Sequence, residues 1–375
     1  MLDALLADVR ALVECESPST DLAAVARSAE VVARVGAARL GGPPPERIVV
    51  AGRTHLRWRF GPGPSRVLVL GHHDTVWPVG TLERIPYDVS GGVLRGPGCL
   101  DMKTGVAMAF QAISGLPGRD GITLLVTGDE ELGSPTSRQL VESEAQAAGA
   151  ALVLEAAADG GGLKTERKGV SRYELVVTGR AAHAGLAPER GINATVELAH
   201  QVLRIAALGD TGLGTTVTPT LSRAGTSANT VPAGGSVAVD VRVRSAAEQD
   251  RVDDAMRRLP AVLPGAVLAV TGGPNRPPME AAASAALFAR AQELAGTLGL
   301  PPLVGTAVGG ASDGNLTAGT GTPTLDGLGA VGGGAHADDE HVLLDFLPGR
   351  TALLSSLIAE LRSAAPVRPG TTDPR

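Results

Sequence analysis

The segment Gly71-His72-His73-Asp74-Thr75-Val76 follows directly on the apolar run Val67-Leu68-Val69-Leu70. Alternate residues of an extended segment share a face, so His72 and Asp74 point one way and His73 the other. An imidazole beside a same-face carboxylate suits a metal ion. The ring binds the ion, and the carboxylate holds the second ring N–H and fixes the tautomer. Alone, such a pair is more commonly an ordinary strand-end contact. Three further acidic positions change the reading. Asp101 follows Gly96-Pro97-Gly98, Asp129-Glu130-Glu131 closes the apolar run 122–127, and Glu155 closes the run 151–154. A cleft that gathers one imidazole and three carboxylates needs cations to neutralise it. A mixed histidine–carboxylate set suits zinc, and a shared carboxylate suits two ions ~3.5–4 Å apart.

These residues meet only if the elements carrying them are neighbours. The runs at 66–71, 122–127 and 151–154 are almost continuously apolar, as in strands covered on both faces. A helix over about 103–115 lies between the first two, which predicts adjacent parallel strands joined by a right-handed crossover. In open sheets of this kind sites form outside the carboxyl ends of the strands, so His72, Asp101, Glu131 and Glu155 converge on one edge. Helices over 2–15 and 20–39 precede this sheet. Strands at 47–51 and 55–60 follow them, the second alternating like a half-exposed sheet edge. The first helix is amphipathic, with Asp3, Asp8 and Arg10 among its apolar positions, and reads as a surface helix rather than a signal peptide.

From about 170 the order becomes β-α-β-β-α-β, with strands at Tyr173–Val177, 215–221, 237–243 and 266–271 and helices over 192–207 and 246–259. That is the ferredoxin-like split arrangement. The expected organisation is α/β: a mostly parallel-sheet hydrolase domain (1–168 and 277–363) with an inserted lid or dimerisation domain (169–276). The tail 364–375 has no apolar periodicity and is expected to be disordered.

The motifs GHHDTV at 71–76, GPGCLDMKTG at 96–105, GDEELGS at 128–134, Glu155, GRAAHAG at 179–185 and GAHADDEH at 334–341 are spread over most of the chain. With them the sequence resembles the di-zinc metallopeptidases that include glutamate carboxypeptidase, aminoacylase, acetylornithine deacetylase and succinyl-diaminopimelate desuccinylase. The similarity looks strongest to the glutamate carboxypeptidase branch. The resemblance implies two zinc ions, with cobalt or manganese as alternatives. Asp101 bridges them, His72 and Glu155 complete one site, and Glu131 and His336 complete the other. It makes Glu130 the general base and Asp74 the group that orients His72, and it implies a cis peptide between Asp101 and Met102. His183, in the inserted domain, would reach a partner subunit's site in a homodimer and steady the oxyanion. Asn229 and Arg242 match lid residues that hold the substrate carboxylate, and Gly310, in the loop 309–314, offers backbone N–H groups for the same work. Arg242 and Asn229 are expected close enough to share one anion.

Composition narrows the partners. Aromatics make up 2% of 375 residues against 43% hydrophobic, so the core is Val, Leu and Ala. A net charge of -6 without a Lys/Arg cluster argues against nucleic acid. No stretch approaches the ~20 apolar residues of a membrane span. Cys15 and Cys99 form neither a disulfide framework nor a CxxC site, which points to a reducing, cytoplasmic compartment. His55, His73 and His200 read as non-functional, and His341 is the rival to His336. The expected substrate is a small peptide or N-acyl amino acid cleaved beside a carboxylate-bearing residue. An N-acyl-amino-acid deacylase is the alternative within the class. A catalytically silent binding protein on the same fold is the alternative outside it.

Overall fold

In the computed structural model, which describes residues 2–363, the chain divides into two compact units. One holds the residues up to Glu166, Ala281–Val308 and those from Ser312 onward. The other holds Arg167–Glu280 with Gly309–Ala311. The tail 364–375, expected to be disordered, lies outside the described residues.

The first unit opens with helices α1 (Leu2–Val13) and α2 (Leu22–Leu40). The Asp21 side chain caps α2 by accepting from the N–H groups of Ala23 and Ala24. Strands β1 (Glu46–Val50), β2 (Arg53–Phe60) and β3 (Val67–His72) follow, then α3 (Thr104–Ser114), β4 (Ile122–Thr127), α4 (Arg138–Ala147) and β5 (Ala150–Val153). They form a six-stranded sheet in the order β1, β2, β4, β3, β5 and the short strand Thr324–Leu325. β3 runs parallel to both β4 and β5, and β5 parallel to Thr324–Leu325, while β1 and β2 are antiparallel additions. Every residue of β3, β4 and β5 is buried. Val67 and Val69 pack with α1–α3 on one face, and Leu68 and Leu70 pack with Val141 and Ala145 of α4 on the other. Two covered faces are why these strands are written as unbroken apolar runs.

One expectation needs correction. β2 is not the sheet edge, because β1 covers it. Its alternation has another cause: Leu56 and Trp58 enter the core while Arg57 and Arg59 pair with the buried Glu144 of α4. Helix α4 itself carries only a thin apolar stripe and was not anticipated from the sequence. No helix among the described residues is long and apolar enough to cross a membrane.

The second unit contains β6 (Gly169–Thr178), α5 (Ala194–Ala206), β7 (Thr216–Ala224), β8 (Gly234–Val243), α6 (Ala246–Arg257) and β9 (Val267–Arg276). Its antiparallel sheet has the order β7, β8, β6, β9, the arrangement of a ferredoxin-like domain. Alternate residues of β6 and β8 are buried: Tyr173, Leu175 and Val177, then Val237, Val239, Val241 and Val243. They meet Leu198 and Ile205 of α5 and Val252 and Met256 of α6, so one face is core and the other open.

Candidate active site

β3 is central, so its end is flanked by those of β4 and β5, and three strand ends deliver side chains to one place. His72 closes β3 and pairs with Thr127, three residues before Glu130. Leu70 pairs with Val153, two residues before Glu155. His72 is 1% exposed, and its Nε2 lies 3.3 Å from Asp101 Oδ1 and 3.7 Å from Glu155 Oε1. Its Nδ1 lies 3.0 Å from the Asp74 backbone carbonyl and 3.5 Å from the Asp74 carboxylate. The ring is therefore oriented chiefly by the Asp74 main chain. The carboxylate of Asp74 has other partners: Ser19 Oγ donates to it at 2.6 Å, and the backbone N–H groups of Glu130 and Glu131 at 3.2 Å each. It thus holds the turn that carries both glutamates.

Asp101 sits in a tight turn over Cys99–Lys103, and the Asp101–Met102 peptide is cis. Its two oxygens face different imidazoles: Oδ1 is 3.3 Å from His72 Nε2, and Oδ2 is 3.4 Å from His336 Nε2. His336 Nε2 also lies 3.1 Å from Glu131 Oε1. One carboxylate between two rings, each ring beside a further carboxylate, is the geometry of a shared ligand. His72 Nε2 and Asp101 Oδ1 are fully buried without a hydrogen-bond partner, which a cation between them would supply. Ligand atoms of His72, Glu130 and Glu155 lie within 4.8 Å of one another, as do those of His72, Asp101 and Glu131. The residues present fit metal ions, and the geometry groups Glu130 with the ligands it adjoins.

The electrostatics carry the same message. Burial pushes Asp101 up, but His336 and His72 outweigh it and hold the carboxyl well below its usual value. Burial pushes His72 down, and Asp101 and Asp74 more than reverse it. His336 is raised to about 10 by Asp101 and then Glu131. Glu131 is raised, by burial first, with His336 only partly offsetting it. The site stabilises positive charge at the two ring nitrogens, where ions would sit.

The other histidines lie elsewhere. His73 points away from the cluster, its ring held by Ser28 Oγ and the Thr54 carbonyl, and burial lowers it to about 4. His55 contacts Thr136 Oγ1 and the Gly128 N–H. His341 bonds the Asp339 carbonyl, so His336 and not His341 stands beside Asp101.

His183, Asn229, Arg242 and Gly310 belong to the second unit. His183 pairs with Thr230 in a two-strand ribbon, and the Ala184 N–H donates to the Asn229 carbonyl, so His183 and Asn229 are neighbours. Arg242 is at the other end of β8, opposite Val170, and grips Asp240 at 2.8 and 3.1 Å. Gly234, at the Asn229 end, is about 26 Å of extended strand away. Within one chain Arg242 and Asn229 therefore do not share an anion, contrary to expectation. Gly310 accepts from Arg167 Nη1 through its carbonyl. Sequence reading missed Ser19 and Glu340, whose contacts with Asp74 and with the Asp101 turn cross long sequence separations.

The model of "Peptidase family M20/M25/M40" matches residues 68–360. Carboxypeptidase G2 of Pseudomonas sp. (strain RS-16) is 33% identical over 307 residues, covering 77% of this chain and 72% of that protein. Succinyl-diaminopimelate desuccinylase of Caulobacter vibrioides is 28% identical over 188 residues, 46% of this chain and 47% of that one. Among solved structures, aminopeptidase PepT from Bacillus cereus ATCC 10987 superposes with a TM-score of 0.73 at 20% identity, covering 96% of this chain and 99% of that one. The M20 family metallo-carboxypeptidase of Sulfolobus solfataricus gives 0.66 at 16% identity, with 96% and 99% covered. These two likenesses speak to the fold.

Proposed function

The chain belongs to peptidase family M20/M25/M40, and from that premise we propose that it is a di-zinc hydrolase releasing a carboxylate-bearing amino acid, glutamate foremost, from a small peptide or N-acyl substrate. That it is a metal-dependent enzyme hydrolysing peptide or amide bonds follows from the family; the bond and the metal are the proposal. The observation that carries it is the Asp101 carboxylate facing His72 and His336 at 3.3 and 3.4 Å, with Glu130 beside them.

In this reading His72, Glu155 and Asp101 hold one ion, and Glu131, His336 and Asp101 the other. The histidine–carboxylate donor set suits zinc, and accepts cobalt or manganese. Two such ions, when bound, polarise the scissile carbonyl and make water nucleophilic near neutral pH. Glu130 takes the proton of the attacking water and returns it to the leaving amine nitrogen. Asp74 keeps Glu130 in place through the backbone, since its carboxylate holds the Glu130 N–H. Arg242 binds the substrate carboxylate with a planar fork, the substrate displacing Asp240 from the guanidinium, and Gly310 adds main-chain contact. His183 and Asn229, being neighbours, act together, and we assign them to the site of a second copy in a homodimer. The exposed Leu203 of α5 and Leu221 of the edge strand β7 support a dimer through this unit. Cys15 and Cys99 are free thiols, in keeping with a reducing cytoplasm.

The test is hydrolysis of a panel of peptidyl and N-acyl amino acids by metal-reconstituted protein, in wild type and Arg242→Ala. Substrates ending in glutamate should lead. The variant should lose ~10²-fold or more in kcat/KM on them, the scale of a broken buried charge pair, and little on their α-amides. Equal loss on both would remove Arg242 as the carboxylate reader. Preference for the acyl group over the amino acid would favour the deacylase reading, which the similarity to the desuccinylase supports.

A further inference from the structure

Glu340 has no part in the reaction as described, yet it is 1% exposed and sits against the turn that carries Asp101. Each of its oxygens accepts from two N–H groups. Oε1 takes the backbone N–H of Leu100 at 2.8 Å and of Asp101 at 3.1 Å. Oε2 takes the backbone N–H of Gly98 at 2.8 Å and the indole N–H of Trp77 at 2.8 Å. Three of the four donors are thus peptide groups of the Asp101 turn.

The other end of Glu340 is tied to His336. Both lie in the loop after Gly334, where the Ala337 N–H donates to the Gly334 carbonyl and the Glu340 N–H to the Ala337 carbonyl, each at 2.9 Å. Beyond the loop, His341–Leu343 is pinned to Val93–Arg95 as an antiparallel pair. One buried carboxylate therefore fastens the loop bearing His336 to the turn bearing Asp101. It makes no such connection to His72 or Glu155, which ride on the ends of β3 and β5.

We propose that Glu340 is a positioning residue for one ion of the pair above the other: it sets Asp101 Oδ2 against His336 Nε2, and so governs the Asp101–Glu131–His336 site more than the His72–Glu155 side, which shares Asp101 but not the His336 loop. This rests on the two-ion reading. A glutamine of the same shape fails in the role because its NH₂ group faces N–H donors, leaving two of four buried donors without an acceptor.

The experiment is titration of metal-free protein with cobalt(II) alone, followed by calorimetry and by visible absorption, which reports the geometry at each ion. Wild type should take up two ions. Glu340→Gln should bind the first with at most a small loss and the second ~10- to 100-fold more weakly, as is typical when an outer partner of a ligand is lost. His336→Ala supplies the reference for a lost second ion, and Glu340→Asp, which keeps the charge, should recover part of the affinity. A merely structural role would lower thermal stability and weaken both ions alike. Should Glu340→Gln fail to fold, Trp77→Phe removes a single donor and should weaken the second ion more than the first. Equal binding of both ions, or equal weakening of both, overturns the proposal. Uptake of one ion by wild type overturns the two-ion reading and this inference with it.

Discussion

At Asp101 and Glu130, neighbouring carboxylates separate by what they face. Asp101 stands between two imidazoles, and Glu130 is held by its own backbone against Asp74. Asp101→Ala should therefore lose both ions, while Glu130→Gln keeps them and loses ~10²–10⁴-fold in kcat, the range of a general base. Metal analysis alongside steady-state rates decides between them, and near-normal turnover in Glu130→Gln would dismiss it as the base. The two imidazoles give a second expectation. Asp101 and Glu131 raise His336 to about 10, and Asp101 and Asp74 overcome burial to raise His72. At neutral pH the His336 ring is therefore protonated in the metal-free protein, His72 is shifted in the same direction, and a ring that carries a proton must give it up to bind an ion. Affinity should then rise with pH through neutrality, with about one proton or more released at pH 7. Calorimetry in buffers of different ionisation enthalpy measures that number, and no release would mean the rings are neutral beforehand.

The elements matter through how closely they approach the strand ends. A Cβ on Gly105, at the start of α3, would stand 2.3 Å from the Leu154 carbonyl, the residue before Glu155. Gly329 presses on the same carbonyl, its Cβ position 2.2 Å away. Leu154, and with it Glu155, meets two backbones that come close because neither carries a side chain. Gly105→Ala should cost ~1–3 kcal/mol by overpacking, although alanine is the better helix former. At Gly115, the other end of α3, the nearest atom is 3.8 Å away, and Gly115→Ala should be neutral or slightly stabilising. Urea unfolding of the two variants reads the difference, and equal stabilities would mean that the strand end yields.

For the whole molecule the question is how many copies make one site. If His183 and Asn229 serve a neighbour's ions, His183→Ala and Glu130→Gln should each be inactive alone and recover activity when mixed. Subunit exchange should produce hybrids with one intact site, up to about a quarter of wild-type activity for random pairing of equal amounts, on the closed two-fold arrangement expected of a homodimer. Sedimentation should show the dimer, and proven exchange without recovery would place His183 in its own subunit's site or outside catalysis.

Much of this was written in the chain itself. A strand buried on both faces must be apolar throughout, so β3, β4 and β5 were legible as runs, and the polar residues at or just beyond their ends, His72, Glu130, Glu131 and Glu155, stood out. The split order of the second unit was legible because its strands alternate against one layer of helices. What the sequence could not decide was every contact made through an irregular segment. The Asp74 carboxylate turned from His72 to the Glu130 and Glu131 amides, and Arg242 closed on Asp240 far from Asn229. Trp77 and Glu340 are 263 residues apart and meet at a single carboxylate. Such contacts leave no period in the sequence, because loops repeat nothing; only the packed strands and turns around them choose which groups face each other.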